Sequence, residues 1–112
     1  MDSKNFAKFL KNLDVKSVET RKYYGDRVPQ DLLSLTLEKP FVFNVRTSDC
    51  LFSCISDCIE IFSRAKVIDF LVGGYLDRTI SVDDIEDISI EEASLDKYEE
   101  NRKRLEEDSF SY

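Results

Sequence analysis

TSDCLFSCISDCIEIFS (residues 47–63) occupies the middle of the chain, and whether it is helix or strand decides how the segments on either side can pack. Within it Cys50, Leu51, Cys54, Ile55, Cys58, Ile59 and Phe62 recur at helical spacing, with Ser53, Ser56, Asp57, Glu60 and Ser63 between them. Ser48 is placed to cap a first turn, so the spacing predicts a helix over 49–64 packed on a sheet.

Upstream, Leu33, Leu35 and Leu37 alternate with Leu32, Ser34 and Thr36, and Phe41, Phe43 and Val45 alternate with Val42 and Asn44. This period of two predicts strands at 32–37 and 41–46, joined as a hairpin through Glu38-Lys39-Pro40, where the missing N–H of Pro40 does no harm. A helix over 30–38 is the competing assignment. Val15 to Tyr24 is rich in β-branched and aromatic residues and reads as a further strand. Before it, Phe6, Phe9, Leu10 and Leu13 fall at i, i+3, i+4 and i+7, an amphipathic helix that Asp2 or Ser3 can cap.

Downstream, KVIDFLV and YLDRTIS flank Gly73-Gly74, a pair suited to a type I′ turn because both central residues need φ > 0. A two-residue loop would set Asp69 opposite Arg78 and put Val67, Leu71, Leu76 and Ile80 on one face. Ser89-Ile90-Glu91-Glu92 has the pattern of a capping box, predicting a helix to about Asp108 with Glu99/Lys103 and Glu100/Arg104 as i,i+4 pairs. Its apolar seam of Leu95, Tyr98 and Leu105 is interrupted by Arg102, so residues 83–112 are expected to lie on the surface or to project. The expected order is α-β-β-β-α-β-β-α, an antiparallel-rich α+β domain spanning 1–112 with an acidic C-terminal helix.

At 112 residues, with 42% apolar content, eight Phe and five Tyr, the chain is large enough for one core and too apolar to stay unfolded despite 35% charged residues. Lysines spread through the N-terminal segment argue against a secretory signal, and no stretch approaches the ~20 apolar residues of a membrane span. A cytoplasmic location is expected, with no membrane partner. Three cysteines cannot pair completely, and their spacing suggests packing.

Charge is distributed very unevenly. Residues 1–27 carry +3, the rest −10, and the 26 residues from Asp83 to Asp108 hold twelve carboxylates against Lys97, Arg102, Lys103 and Arg104. At a Debye length of about 8–10 Å such carboxylates act as one patch, which attracts basic proteins and repels nucleic-acid phosphate.

Catalytic motifs are weak. The chain has no histidine, the commonest general base and metal ligand. Cys58 and Arg64 match the C-x5-R spacing of cysteine phosphatases, but that loop needs a glycine-bearing turn whose amides point at phosphate. Cys50, Cys54 and Cys58 lack a fourth zinc ligand. Asp83-Asp84-Ile85-Glu86-Asp87 lacks the glycine and distant glutamate of an EF-hand. No cofactor, metal or catalytic residue is nominated, and a cysteine-dependent enzyme is only a remote alternative.

The order of elements and the acidity resemble, at the level of fold, the small chaperones of type III secretion, which implies a homodimeric chaperone or adaptor binding a polypeptide through apolar grooves. The expectation carried by the charge itself is a non-enzymatic inhibitor of the immunity-protein, antitoxin or phage anti-defence type, such as an anti-CRISPR. It would present carboxylates in place of phosphate to a basic, nucleic-acid-handling protein, with no direct nucleic-acid contact and self-association left open. The expected contact residues are Asp83, Asp84, Glu86, Asp87, Glu91, Glu92, Glu99, Glu100, Glu106 and Glu107, with Tyr98, Phe110 and Tyr112 as aromatic anchors.

Overall fold

The central segment is a strand. In the computed structural model, which describes residues 8–9, 11–24 and 29–109, the elements are β1 (Val15–Tyr23), β2 (Gln30–Thr47), β3 (Leu51–Phe62), β4 (Val67–Val72), β5 (Tyr75–Ser81), a 3₁₀ turn (Val82–Asp84), β6 (Ile85–Glu92) and α1 (Leu95–Ser109). The helix expected over 49–64 is therefore corrected to β3, and the order of elements changes with it.

The physical reason lies in β3 itself. Cys54 and Ile59 point into the core, whereas Ile55 sits opposite Val42 on the other face, beside Lys97 and Asn101 of α1. Between them Asp57 is left out of the ladder, a bulge that shifts the phase of the alternation. Buried Ser56 fixes that bulge: its hydroxyl donates to the carbonyl of Leu71 (2.7 Å) or Cys58 (2.8 Å) and accepts the Cys58 N–H at 3.3 Å. Burial on both faces plus one phase change imitates a 3.6-residue period.

β2 corrects the second expectation. Residues 32–37 and 41–46 do not fold back as a hairpin; they are halves of one 18-residue strand. Straight, it would run about 56 Å at ~3.3 Å per residue, yet the longest dimension of the molecule is 34 Å. The strand must bend, and the register against β3 shifts between Thr36 and Phe41. On its opposite edge β1 pairs with Gln30–Leu37 and β6 with Phe41–Thr47. Pro40 falls in the gap on both sides, where no ladder bond is asked of it. The alternation read from the sequence holds across the bend, since Leu35, Leu37, Phe41, Phe43 and Val45 all face the core.

The antiparallel sheet has the order β1-β2-β3-β4-β5, with β6 also on β2. β6 and β5 thus lie four strand spacings apart, about 19 Å in a flat sheet. The connection from Ser81 to Ile85 reaches at most about 14 Å, so the sheet curls. Its concave side forms the core, in which Phe43 meets Phe70 across the intervening β3 at 5.2 Å between ring centroids. Phe9 packs edge-on to Phe43 at 6.2 Å, and Leu13 is buried beside it. Lys8, Phe9 and Lys11 are helical, but Asn12 and Leu13 form a turn and bend, so the helix expected to reach Leu13 ends before it; Phe6 and Leu10 lie outside the described residues.

Gly73 and Gly74 form the expected two-residue turn, with φ of 58° and 89°. The register beyond it differs: a second bulge, at Asp77, sets Phe70 opposite Arg78 and Asp69 opposite Thr79. Thr79 donates to Asp69 at 2.6 Å, and Arg78 turns to the concave side, so Asp69 and Arg78 lie on opposite faces. The buried face of β4 is Ile68, Phe70 and Val72 in place of Val67 and Leu71. The capping box is likewise overridden: Ser89–Glu92 continues β6 because Ile88 and Ile90 pack on the core, and the helix starts at Leu95 after Ser94.

The cysteines divide three ways, with Cys50 exposed, Cys58 half-buried and Cys54 buried. Burial pushes the Cys54 thiol up to about 12 and also raises Cys58. A disulfide-exchange reagent at neutral pH is expected to label Cys50 first, Cys58 more slowly and Cys54 only on unfolding, because the thiolate is the reactive form. Mass spectrometry of peptides from a labelling time course checks this, and Cys54 labelling as fast as Cys50 would contradict the packing described.

Candidate functional site

The acidic block is two structures with different charge. Asp83–Glu92, the 3₁₀ turn and β6, holds six carboxylates and no basic residue. Residues 93–108, essentially α1, hold six carboxylates and four basic residues, a net −2. Most of the excess negative charge therefore lies on an edge strand and its connector.

Register sorts β6 by face. Asp87, Ser89 and Glu91 lie opposite Arg46, Asn44 and Val42 on the convex side, whereas Ile88 and Ile90 lie opposite Val45 and Phe43 on the core side. Ser53 donates to Asn44, whose amide donates to Glu91 at 3.0 Å, a polar chain across β3, β2 and β6 that orients the Glu91 carboxylate. Glu92 pairs with Lys39, and that ammonium holds the Glu92 carboxyl below the usual carboxylate range. Asp83, Asp84, Glu86 and Asp87 are exposed.

α1 lies against the convex face and turns Tyr98, Asn101, Arg102 and Leu105 towards it. Tyr98 donates to Asp57 at 2.6 Å and so engages the β3 bulge. Asp57 also accepts the Gly73 N–H at 3.3 Å, linking helix, bulge and turn at one carboxylate. Arg102 pairs with Glu99 (2.9 Å) and Glu106 (3.4 Å), and Arg104 reaches Asp77 (3.5 Å). These pairings replace the expected Glu99/Lys103 and Glu100/Arg104 pairs. Of the expected contact residues, Glu100 and Glu107 lie on the exposed side of α1, Tyr98 is turned inward, and Phe110 and Tyr112 lie outside the described residues.

Burial, reinforced by the Asp57 hydrogen bond, pushes the Tyr98 hydroxyl up to about 12, against ~10 for a free tyrosine. Its stabilising contribution is complete below pH ~10 and is lost as pH rises through about 12. Cys54 loses its contribution in an overlapping window, with the same sign. Tyr98→Phe is expected to lower stability by about 1 kcal/mol and to remove only the tyrosine part of the alkaline decline. Denaturant titrations at pH 8, 10 and 11.5 check this, and a variant with an unchanged profile would show that the Tyr98–Asp57 bond does not hold the helix.

A polar cleft of about 300 Å³ opens between the β2–β3 turn and the β5–β6 connector, bordered by Thr47, Asp49, Cys50 and Asp84. Arg78 lies over the Phe52 ring there, 4.1 Å from its centroid, with no carboxylate in ion-pairing range among the described residues. The sequence offers no signal for this stack while 49–64 reads as a helix, because only the β3 assignment brings Phe52 beside β5. Among the described residues no cluster of Cys, Asp and Glu is arranged to hold a metal ion, and no helix is long and apolar enough to cross a membrane.

No protein-family model, curated protein or solved structure matches the chain.

Proposed function

We propose that this protein is a non-enzymatic, protein-binding inhibitor of the immunity-protein, antitoxin or phage anti-defence type, presenting carboxylates to a basic protein that handles nucleic acid. The observation that supports this is the six-carboxylate stretch Asp83–Glu92, with no basic residue of its own, placed on an exposed turn and an edge strand. Backbone paired in the sheet fixes the positions of Asp87, Glu91 and Glu92, so complementarity to a basic surface needs little ordering there on binding. α1 contributes less, because its arginines neutralise Glu99, Glu106 and Asp77 within the molecule.

Affinity capture from the native cell tests the proposal, with the wild-type chain and an E86K/D87K/E91K variant as parallel baits. A basic protein retained by the wild type alone, and released when salt rises from about 0.05 to 0.5 M, is the expected result. Retention of the same protein by both baits, or retention that survives high salt, would instead favour docking through apolar contacts.

A further inference from the structure

We propose that the partner docks by adding a strand to the open edge of β6, through an extended segment in which Lys or Arg alternates with apolar residues. This rests on the acidic-surface proposal and specifies the partner and its mode of docking.

Among the described residues, β1, β5 and β6 each pair on one side only. Such edges leave main-chain N–H and C=O groups free to template another strand. The three differ in regularity and charge. β5 is interrupted by the Asp77 bulge, and Asp77 is held by Arg104 of the helix. β1 carries Lys16, Arg21 and Lys22 against Glu19, so it repels a basic segment. β6 runs from Asp87 to Glu92 with no break in register, at net −3 over those six residues.

The two faces of that edge set the chemistry of what it accepts. Side chains on an added strand lie about 4.5–5.5 Å from their cross-strand neighbours. On the convex side they meet Asp87, Ser89 and Glu91; on the core side they meet the half-buried Ile88 and Ile90 and, at the end of the strand, Glu92, which lies opposite Phe41 and is paired with Lys39. The complementary segment therefore carries cations at every second position and apolar residues between them. A second β6 cannot serve, because antiparallel self-pairing sets carboxylates against carboxylates. β1 of a second copy matches poorly, as its convex-side residues Ser17, Glu19 and Arg21 carry no net charge.

The probe is a synthetic acetylated heptapeptide amide, Lys-Val-Lys-Val-Lys-Val-Lys, compared with a peptide of the same composition in block order. A third peptide has the sequence of residues 15–23. Calorimetry gives affinity, and hydrogen exchange of the full chain reports on backbone pairing. The alternating peptide is expected to bind at least about tenfold more tightly than the block peptide and to slow exchange of amides within 87–92 at least about tenfold. The E86K/D87K/E91K variant, checked for an unchanged melting temperature, should lose both effects. Equal, salt-sensitive binding of both basic peptides without added protection in 87–92 would overturn strand addition while leaving the acidic surface in place. Binding of neither would overturn both proposals. Protection of 87–92 by the peptide of residues 15–23, or by raising protein concentration alone, would overturn the assignment of a basic partner in favour of a second copy.

Discussion

Phe43→Ala is expected to lower the free energy of unfolding by about 3–5 kcal/mol, the usual range for an aromatic ring deleted from a core. Phe43 is fully buried at the centre of the curled sheet, opposite Cys54 on β3 and Ile90 on β6, and its ring touches Phe9 and Phe70. Cys54, Ile90 and Phe70 each hold a fixed ladder position, so none can move into the space without breaking its own register. The loss is a large part of the ~5–15 kcal/mol that holds a typical domain. Val18→Ala, at a site 61% exposed on β1, should change stability by less than about 0.5 kcal/mol. Urea unfolding of both variants measures the contrast. A Phe43→Ala loss below about 1 kcal/mol would mean that the core does not converge on this ring.

Gly73→Val is expected to cost about 2–3 kcal/mol and, unlike other turn substitutions, to loosen α1. Its φ of 58° is the left-handed region, which costs a side-chain-bearing residue roughly 1–2 kcal/mol. A Cβ there would also stand 2.8 Å from Cδ and 2.9 Å from Cγ of Arg102, both in the body of that side chain. Arg102 must move, and with it the pairing to Glu99 and Glu106. Gly74, at φ 89° with nothing within 4 Å, separates the two effects: Gly74→Val should show the backbone strain, somewhat above 1 kcal/mol, without loosening the helix. Hydrogen exchange of residues 95–108 is the discriminating measurement. Equal helix protection in the two variants would show that Arg102 yields without cost.

Where a structural feature depends on residues close in sequence, the chain was legible. The Gly73-Gly74 turn follows from two adjacent residues that tolerate positive φ. The alternation Leu33, Leu35, Leu37, Phe41, Phe43, Val45 identifies the core face of β2, and Tyr98 and Leu105 of the expected seam of α1 face the sheet, whereas Leu95, read as part of that seam, is exposed at the first turn of the helix. The carboxylate block is plain from composition. Arg102 reads in sequence as an interruption of that seam, whereas its aliphatic carbons lie over Gly73 and complete it.

The remainder was decided by tertiary structure. Helical spacing in 47–63 arises because Cys54 and Ile59 face the core while Ile55 faces α1, with the Asp57 bulge between, and a period argument assumes one buried face and no change of phase. Glu38-Lys39-Pro40 reads as a turn until β1 and β6 are seen to share one edge of β2 and leave Pro40 unpaired between them. The sequence by itself determined that a strongly acidic, mostly antiparallel domain would form, since composition and local alternation carry that information. Only the folded sheet decided that the excess charge lies on the edge strand β6 and its connector, because α1 pairs Arg102 with its own Glu99 and Glu106 and its docking brings Arg104 to Asp77, whereas among the described residues Asp83, Asp84, Glu86 and Asp87 make no ion pair.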